Sequence, residues 1–354
     1  MTIRVFHPIG QGAFYAERHA NYNIVYDCGN WKDTKLADKV VKQSFTEHEI
    51  IDILFISHFD ADHVNKISVL KDHCNQIRNV VMPLLHENEV QFLLNFYLAI
   101  GNTDAVEIFT NPQGFFGEDT NVILVEAGEG IEGGGDGQVV EIEELQGGGE
   151  IKISSSTKIK VKAADWFYIP FNYKYKDRNL QLKALFISHG LDIDQFQSDL
   201  SYAISNKNKI KKIYDAIAGN INQNSMVLFS GPLDKKIRKI RHYHKRWIFE
   251  ALGNRPACIY SGDADFNIID IRVLFSKYWQ MVGTVQIPHH GDIKCFNKSF
   301  FDGRHYFCPI SVGKTNSYAH PSTRVIADIF ANNAHPILVT ESLDSGFVQV
   351  ILSK

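Results

Sequence analysis

The chain is predicted to be an α/β protein, and three features of its sequence predict it. Short β-rich runs alternate with helix-spaced segments from one end of the 354 residues to the other. Hydrophobic residues make up 44% and aromatic residues 12%, the content of a chain that fills a core rather than one that stays disordered. Several apolar runs also stop abruptly at histidine or aspartate, and α/β proteins present functional groups at the carboxyl ends of strands.

The elements follow in order. IRVFH (3–7), NIVYDCG (23–29) and IIDILFISH (50–58) read as strands. ADHVNKISVLKDHC (61–74) has helical spacing at Val64, Ile67, Ser68 and Leu70. VVMP (80–83) is a strand stopped by proline, and HENEVQFLLNFYLAIG (86–101) a helix closed by glycine. AVEIFT (105–110) and NVILVEA (121–127) are expected to be strands. Residues 127–150 carry nine glycines among acids, the composition of an exposed loop without catalytic content. IKISSSTKIKVKAA (151–164) alternates like a strand, and residues 192–219 read as helical. NSMVLFSG (224–231), ACIYSGDADF (257–266), VGTVQIPHHGD (282–292) and YFCPISVG (306–313) are strands with polar ends. A helix over 320–334 and the strands PILVT and GFVQVIL close the chain. The expected organisation is one domain, 1–354, with a divergent region 84–220 and a basic insertion 231–255.

Composition excludes some functions. A formal net charge of −3 does not fit a generally basic nucleic-acid binder. KKIRKIRHYHKR (235–246) and KNKIKK (207–212) are local exceptions, either solvated helix faces or an anion-binding surface. No run reaches the ~20 apolar residues of a membrane helix, and MTIRVFHPIGQG has no apolar core or small-residue cleavage site, so a signal peptide is not expected. Five widely spaced cysteines without a CxxC pair fit reduced thiols, so the expected location is cytoplasmic. The aromatic string WFYIPFNYKY (166–175) is read as packing, the commoner reason for such residues than base stacking.

The chemistry gathers at four strand ends. LFIS is followed by HFDADH, ACIYSG by Asp263, TVQIP by HHGD, and CPISVG by KTNSYAHP. In an extended loop alternate residues face one side, so His58, Asp60 and Asp62 converge while His63 arrives from the next helix. Imidazole and carboxylate suit a divalent transition metal, zinc or manganese. Two such ions ~3.5–4 Å apart polarise a phosphoryl or carbonyl oxygen and supply hydroxide at neutral pH. Asp263 is the candidate bridge between them. LFISH also occurs at 185–189, but there no DxDH follows.

His58-x-Asp60-x-Asp62-His63 resembles the HxHxDH signature of the metallo-β-lactamase fold, in an HxDxDH form. PIGQGAFYAE, IVYDCG, NQNSMVLF, YSGDAD, VQIPHHGD and ISVGKTNSYAHPS follow in the order of the ComEC-type branch. The likeness covers roughly 1–82 and 220–354. It implies an αββα sandwich of two mixed sheets flanked by helices, with a dinuclear site. The implied ligands are His58, Asp60, Asp62, His63, Asp263 and one of His289 and His290, with His290 favoured because glycine follows it. Asp27 and Asn222 are implied as supporting groups behind the ligands. Asn222 stands where many members have histidine, Ala13 where the branch has aspartate, and Asp292 where it has serine.

The resemblance therefore implies a soluble metal-dependent hydrolase, expected to be a phosphodiesterase or nuclease acting on nucleic acid or nucleotides. Asp62, Asp263 and His320 are the expected catalytic residues. Ser311, Asn316, Tyr318, His320, Lys235 and Arg238 are expected to contact an anionic phosphodiester. The alternatives are a hydrolase of a small ester, lactone or phosphocholine-like compound, and a metal-binding regulatory module without turnover.

Overall fold

The computed structural model describes residues 1–352 apart from 33, 86, 130–137, 146, 174–177, 218–224, 235, 237, 246 and 254. The strands are β1 (Thr2–Phe6), β2 (Gly12–Arg18), β3 (Asn23–Asn30), β4 (Ile50–Ile51), β5 (Ile53–Phe55), β6 (Gln76–Ile77), β7 (Asn79–Pro83), β8 (Asn121–Gly128), β9 (Val139–Glu141) and β10 (Gly149–Ser154). They continue as β11 (Lys158–Val161), β12 (Trp166–Tyr173), β13 (Val227–Pro232), β14 (Arg238–His244), β15 (Trp247–Gly253), β16 (Ala257–Tyr260), β17 (Val282–Val285), β18 (Phe307–Ser311), β19 (His335–Val339) and β20 (Phe347–Leu352).

Two mixed sheets result. The first runs β15–β14–β20–β1–β2–β3–β5–β7–β8–β10, antiparallel as far as β3 and parallel beyond it. The second runs β9–β11–β12–β13–β16–β17–β18–β19, antiparallel in its middle and parallel from β16 onward. β4 and β6 form a separate pair.

Side-chain alternation explains how the sheets face each other, because successive residues of a strand point to opposite faces. Along β12, Trp166 and Tyr168 join the layer between the sheets, while Phe167, Ile169 and Phe171 join the outer layer of the second sheet. Along β5, Ile53 and Phe55 point between the sheets and Leu54 points outward. The outer face of the first sheet packs on helices Lys35–Ser44, Ile67–His73, Glu87–Ile100 and those of residues 178–217. The outer face of the second packs on Ile271–Leu274 and Thr323–Ala331. The layers are thus helix, sheet, sheet, helix, the architecture that the sequence resemblance implied.

Three expectations change, and the repeated LFISH folds in two ways. AVEIFT lies in a helix, Thr103–Thr110, capped by Asn102, whose side chain accepts from the Ala105 N–H. Ala105 and Ile108 bury at a spacing of three, with Val106 and Phe109 packed beside them, so the pattern is helical rather than alternating. The second LFISH also lies on a helix, Arg178–Ser188, with Phe186 buried and Ile187 75% exposed. In the first copy every residue is buried. The basic run forms β14 instead of a helix face. Within 127–150, Val139–Glu141 pairs with β11 and β10 begins at Gly149, so parts of that stretch belong to the sheets, with a short 3-10 helix at Ile142–Glu144 between them. Among the described residues no helix is long and apolar enough to cross a membrane.

Candidate metal centre

The parallel strands bring their carboxyl ends to one rim. β5 ends at Phe55 and delivers Ser57 and His58, and the helix Ala61–Val64 that follows carries Asp62 and His63. β16 delivers Asp263 through Gly262, which has φ +52° and whose absent Cβ would stand 2.2 Å from Ser225 Oγ. β17 delivers His289 and His290, and β18 ends at Ser311. β3 contributes Asp27 and then Gly29, where a Cβ would lie 2.4 Å from the Asp62 carbonyl carbon. Only glycine lets β3 pass this close to the ligand-bearing helix.

Four imidazoles are anchored in the same way, through Nδ1. His58 Nδ1 lies 2.9 Å from Ser57 Oγ and 3.2 Å from Ser225 Oγ. His63 Nδ1 lies 2.8 Å from Asp27 Oδ2, and the other oxygen of Asp27 accepts the Ser57 N–H at 2.7 Å. His290 Nδ1 donates to the Ser311 carbonyl at 2.8 Å, and His289 Nδ1 is 3.3 Å from Cys295 Sγ. A ring nitrogen fixed on one side sets the tautomer and aims Nε2 the other way.

All four Nε2 atoms face carboxylates. His63 Nε2 stands 3.2 Å from Asp263 Oδ1. His58 Nε2 and His289 Nε2 stand 3.8 and 3.7 Å from Asp263 Oδ2. His290 Nε2 is 3.0 Å from Asp62 Oδ2, and His58 Nε2 is also 3.7 Å from Asp60 Oδ2. Asp60 is held from behind by the Tyr97 hydroxyl at 2.8 Å. Ligand atoms of His58, His63 and Asp263 lie within 4.8 Å of one another, and so do those of Asp62, His63 and His290.

This arrangement needs a cation. An imidazole that donates from Nδ1 turns the lone pair of Nε2 toward an anionic oxygen, which is repulsive unless a proton or a metal ion lies between them. Nε2 of His58 and of His63 are buried without hydrogen-bond geometry to any described group. With no ion, protons must serve. Burial opposes a charge on His63, yet Asp263 and Asp27 outweigh it and raise its pKa well above the ordinary value. Burial likewise opposes a charge on His290, and Asp62 and Asp263 raise its pKa in spite of it. Against the same desolvation, His63 and His289 hold Asp263 well below the carboxylate range, and the hydrogen bond from His290 lowers Asp62. Divalent cations fit this donor set of imidazole nitrogen and carboxylate oxygen.

The backbone at the rim is strained. Asp27, His289 and His290 have φ of 54°, 48° and 54°, a left-handed region that costs non-glycine residues of order 1–3 kcal/mol each. Both histidines of HHG face the cluster, His289 toward Asp263 and His290 toward Asp62, where the resemblance implied one.

His320 flanks the cluster, its ring 5.7 Å from that of His289 and 6.3 Å from that of His290. Burial first, then the neighbouring His290 and His289, push its pKa down to about 4, so it is neutral near pH 7. Tyr318 stacks on it at 5.7 Å. Asp292 Oδ2 lies 3.8 Å from His289 Nδ1 and 3.9 Å from His320 Nε2.

Three expected substrate contacts are otherwise occupied. Ser311 is buried, its hydroxyl accepting from Tyr15 OH at 3.0 Å while its carbonyl orients His290. Asn316 pins its own loop, donating to the Gly313 and His320 carbonyls and accepting from the His320 N–H. Arg238 is buried against Asp234 and pairs in register with Gly253, at the end of β14 remote from the cluster. The rest of the described basic run is largely neutralised, Lys236 by Asp234 and both Lys239 and Arg241 by Glu250. His189 closes the helix Arg178–Ser188 by bonding the Leu185 carbonyl. Ala13 fills the layer between the sheets. Asn222 and Lys235 lie outside the described residues.

The residues that the sequence did not single out are the anchors. Ser57 stands beside His58, and Ser225 lies inside the NQNSMVLF motif, so both were within reach of pattern reading. Tyr97 and Cys295 come from segments without a motif, and no local signal marks them.

No protein-family model matches the chain, and no curated protein sequence matches it. Among solved structures, the crystal structure of the metallo-beta-lactamase fold protein YhfI from Bacillus subtilis is similar over 98% of each chain, at 8% identity and a TM-score of 0.42.

Proposed function

We propose that this chain is a metal-dependent hydrolase and that its substrate is a phosphodiester, as found in nucleic acid or a nucleotide. The observation that carries the reading is the aim of four histidine Nε2 atoms at the buried carboxylates of Asp60, Asp62 and Asp263, a donor set that a divalent cation would satisfy in place of protons. His58, His63, His289 and Asp263 would hold one ion, and Asp62 and His290 a second, with His63 and Asp263 near both. Asp60, steadied by Tyr97, adds an oxygen ligand beside His58. When bound, divalent cations supply Lewis acidity and activate water at neutral pH.

The chain's own groups do the remaining work. Asp27, Ser57, Ser225, Cys295 and the Ser311 carbonyl fix the imidazoles, so little reorganisation is needed when charge develops. His320, neutral and beside the HHG pair, can donate a hydrogen bond to a substrate oxygen without adding positive charge to the ground state. Asp292 favours a second reading, because its carboxylate beside His289 and His320 disfavours a highly anionic substrate and suits a small carboxylic ester or lactone.

Elemental analysis of the purified protein, followed by assay on bis-p-nitrophenyl phosphate, single-stranded DNA, RNA and carboxylic esters, separates the readings. We expect about one to two equivalents of zinc or manganese, turnover of the phosphodiesters, and a loss of more than about 100-fold in Asp62→Ala and Asp263→Ala. Turnover of esters alone would select the second reading. Bound metal with wild type no faster than Asp62→Ala on any substrate would leave a binding module.

A further inference from the structure

Next to the cluster lies a recess of about 200 Å³, bordered by the chain after β3 and by the loop that follows β18. Two large rings stand at its mouth, Trp31, 42% exposed, and Tyr318, 47% exposed. Their centroids are 5.8 Å apart with planes at 83°. Tyr318 stacks on His320 at 5.7 Å and 29°, and His320 in turn stacks on His290 at 6.3 Å and 27°. A continuous series of rings therefore leads from the recess to a candidate metal ligand. The loop that carries Tyr318 is held rigidly, by the Asn316 bonds already described and by Lys32 Nζ, which donates to the Thr315 carbonyl and hydroxyl at 3.2 and 3.1 Å.

Exposed tryptophan and tyrosine on a fixed frame offer apolar area at small entropic cost, which is how planar rings are captured. We propose that this recess binds the base of a nucleotide whose phosphate enters the cluster, with the base stacked on the face of one of Trp31 and Tyr318 and its edge against the other. The proposal rests on the phosphodiesterase reading and adds the part of the substrate that this reading leaves open. Stacking on an aromatic face accepts any base and needs no hydrogen-bond readout. Lys32 gives the rim a positive charge that suits a phosphate and disfavours a quaternary ammonium. Glu341, the carboxylate of the recess, is engaged by the Lys314 N–H at 3.0 Å.

Calorimetric titration of the manganese-loaded full chain with adenosine 5′-monophosphate, ribose 5-phosphate and phosphocholine tests this directly. Adenosine monophosphate should bind about tenfold or more tightly than ribose 5-phosphate, and that advantage should fall to about twofold or less in Trp31→Ala and in Tyr318→Ala. Equal affinity of the two phosphates for wild type, or an advantage that survives both substitutions, overturns the proposal. Phosphocholine binding as tightly as adenosine monophosphate overturns it in favour of a cation site. The measurement does not depend on turnover. A base preference in a protein that cleaves no diester would sink the hydrolase reading and uphold the recess, and diester cleavage without a base preference would do the reverse.

Discussion

A ligand set is only as good as the atoms behind it, and here each imidazole is held by a different group. Asp27 does the most, because one carboxylate accepts from Ser57 N, Ser57 Oγ and His63 Nδ1, all at 2.7–2.8 Å. Such supporting contacts are typically worth 10–100-fold in metal affinity. We predict that Asp27→Asn keeps the fold and weakens zinc or manganese binding by about that factor, measured by chelator competition. Unchanged affinity would show that His63 needs no anchor. Much of this scale was legible in the sequence. His58, Asp60, Asp62, His63, Asp263 and the HHG pair could be named from motif order alone. What a motif does not record is the direction of a hydroxyl or amide, and the internal hydrogen bonds of Ser311 and Asn316 were not legible in it.

At the scale of elements, one pentapeptide shows how far local sequence reaches. LFISH is strand and loop at 54–58 but helix over 185–188 with His189 just beyond its end, since β-rich composition decides little when neighbours differ. The first copy sits between β3 and β7 in a parallel sheet, where both faces are covered. The second follows a helical run, exposes Ile187 and ends at Gly190, φ +65°. Packing between elements also sets a test for Gly29. Its Cβ would enter the Asp62–His63 backbone at 2.4 Å, so Gly29→Ala must push the ligand helix away. We predict a stability loss of about 1–3 kcal/mol in urea unfolding, together with loss of tight metal binding. A variant that binds metal normally would mean that the helix position does not govern the site.

Across the whole molecule, the layer between the sheets holds polar groups as well as aromatic rings. Glu17 is buried there and accepts from Arg4, Tyr168, Tyr260 and Ser230 at 2.7–3.0 Å. Burial works against its charge, but Arg4 and the other donors keep its pKa below the ordinary value. Nearby in the fold, burial holds His7, His19 and His242 neutral, with pKa values of about 3, about 4 and about 3. The unfolded chain takes up these protons below about 6.5, while the folded chain resists until pH 3–4. The contribution of these three histidines is therefore complete above about pH 6.5 and falls as pH drops toward 4, Glu17 adds a further loss at lower pH, and the raised His63 and His290 of the metal-free site act in the opposite sense only above about pH 6.5. Thermal unfolding followed in metal-free buffer should show Tm declining over that interval, and a flat profile from pH 7 to 4 would contradict the buried-neutral assignment.

The sequence by itself determined the fold class, the order of the strands that deliver the ligands, and the identity of the ligand candidates, because periodicity and residue type are local properties. Tertiary structure alone decided which nitrogen of each histidine faces inward, that both His289 and His290 reach the cluster, and that Arg238 does not. It also set Trp31 beside Tyr318, 287 positions apart in the chain. These are relations between segments distant in sequence, fixed by how two sheets stack and where their strands end.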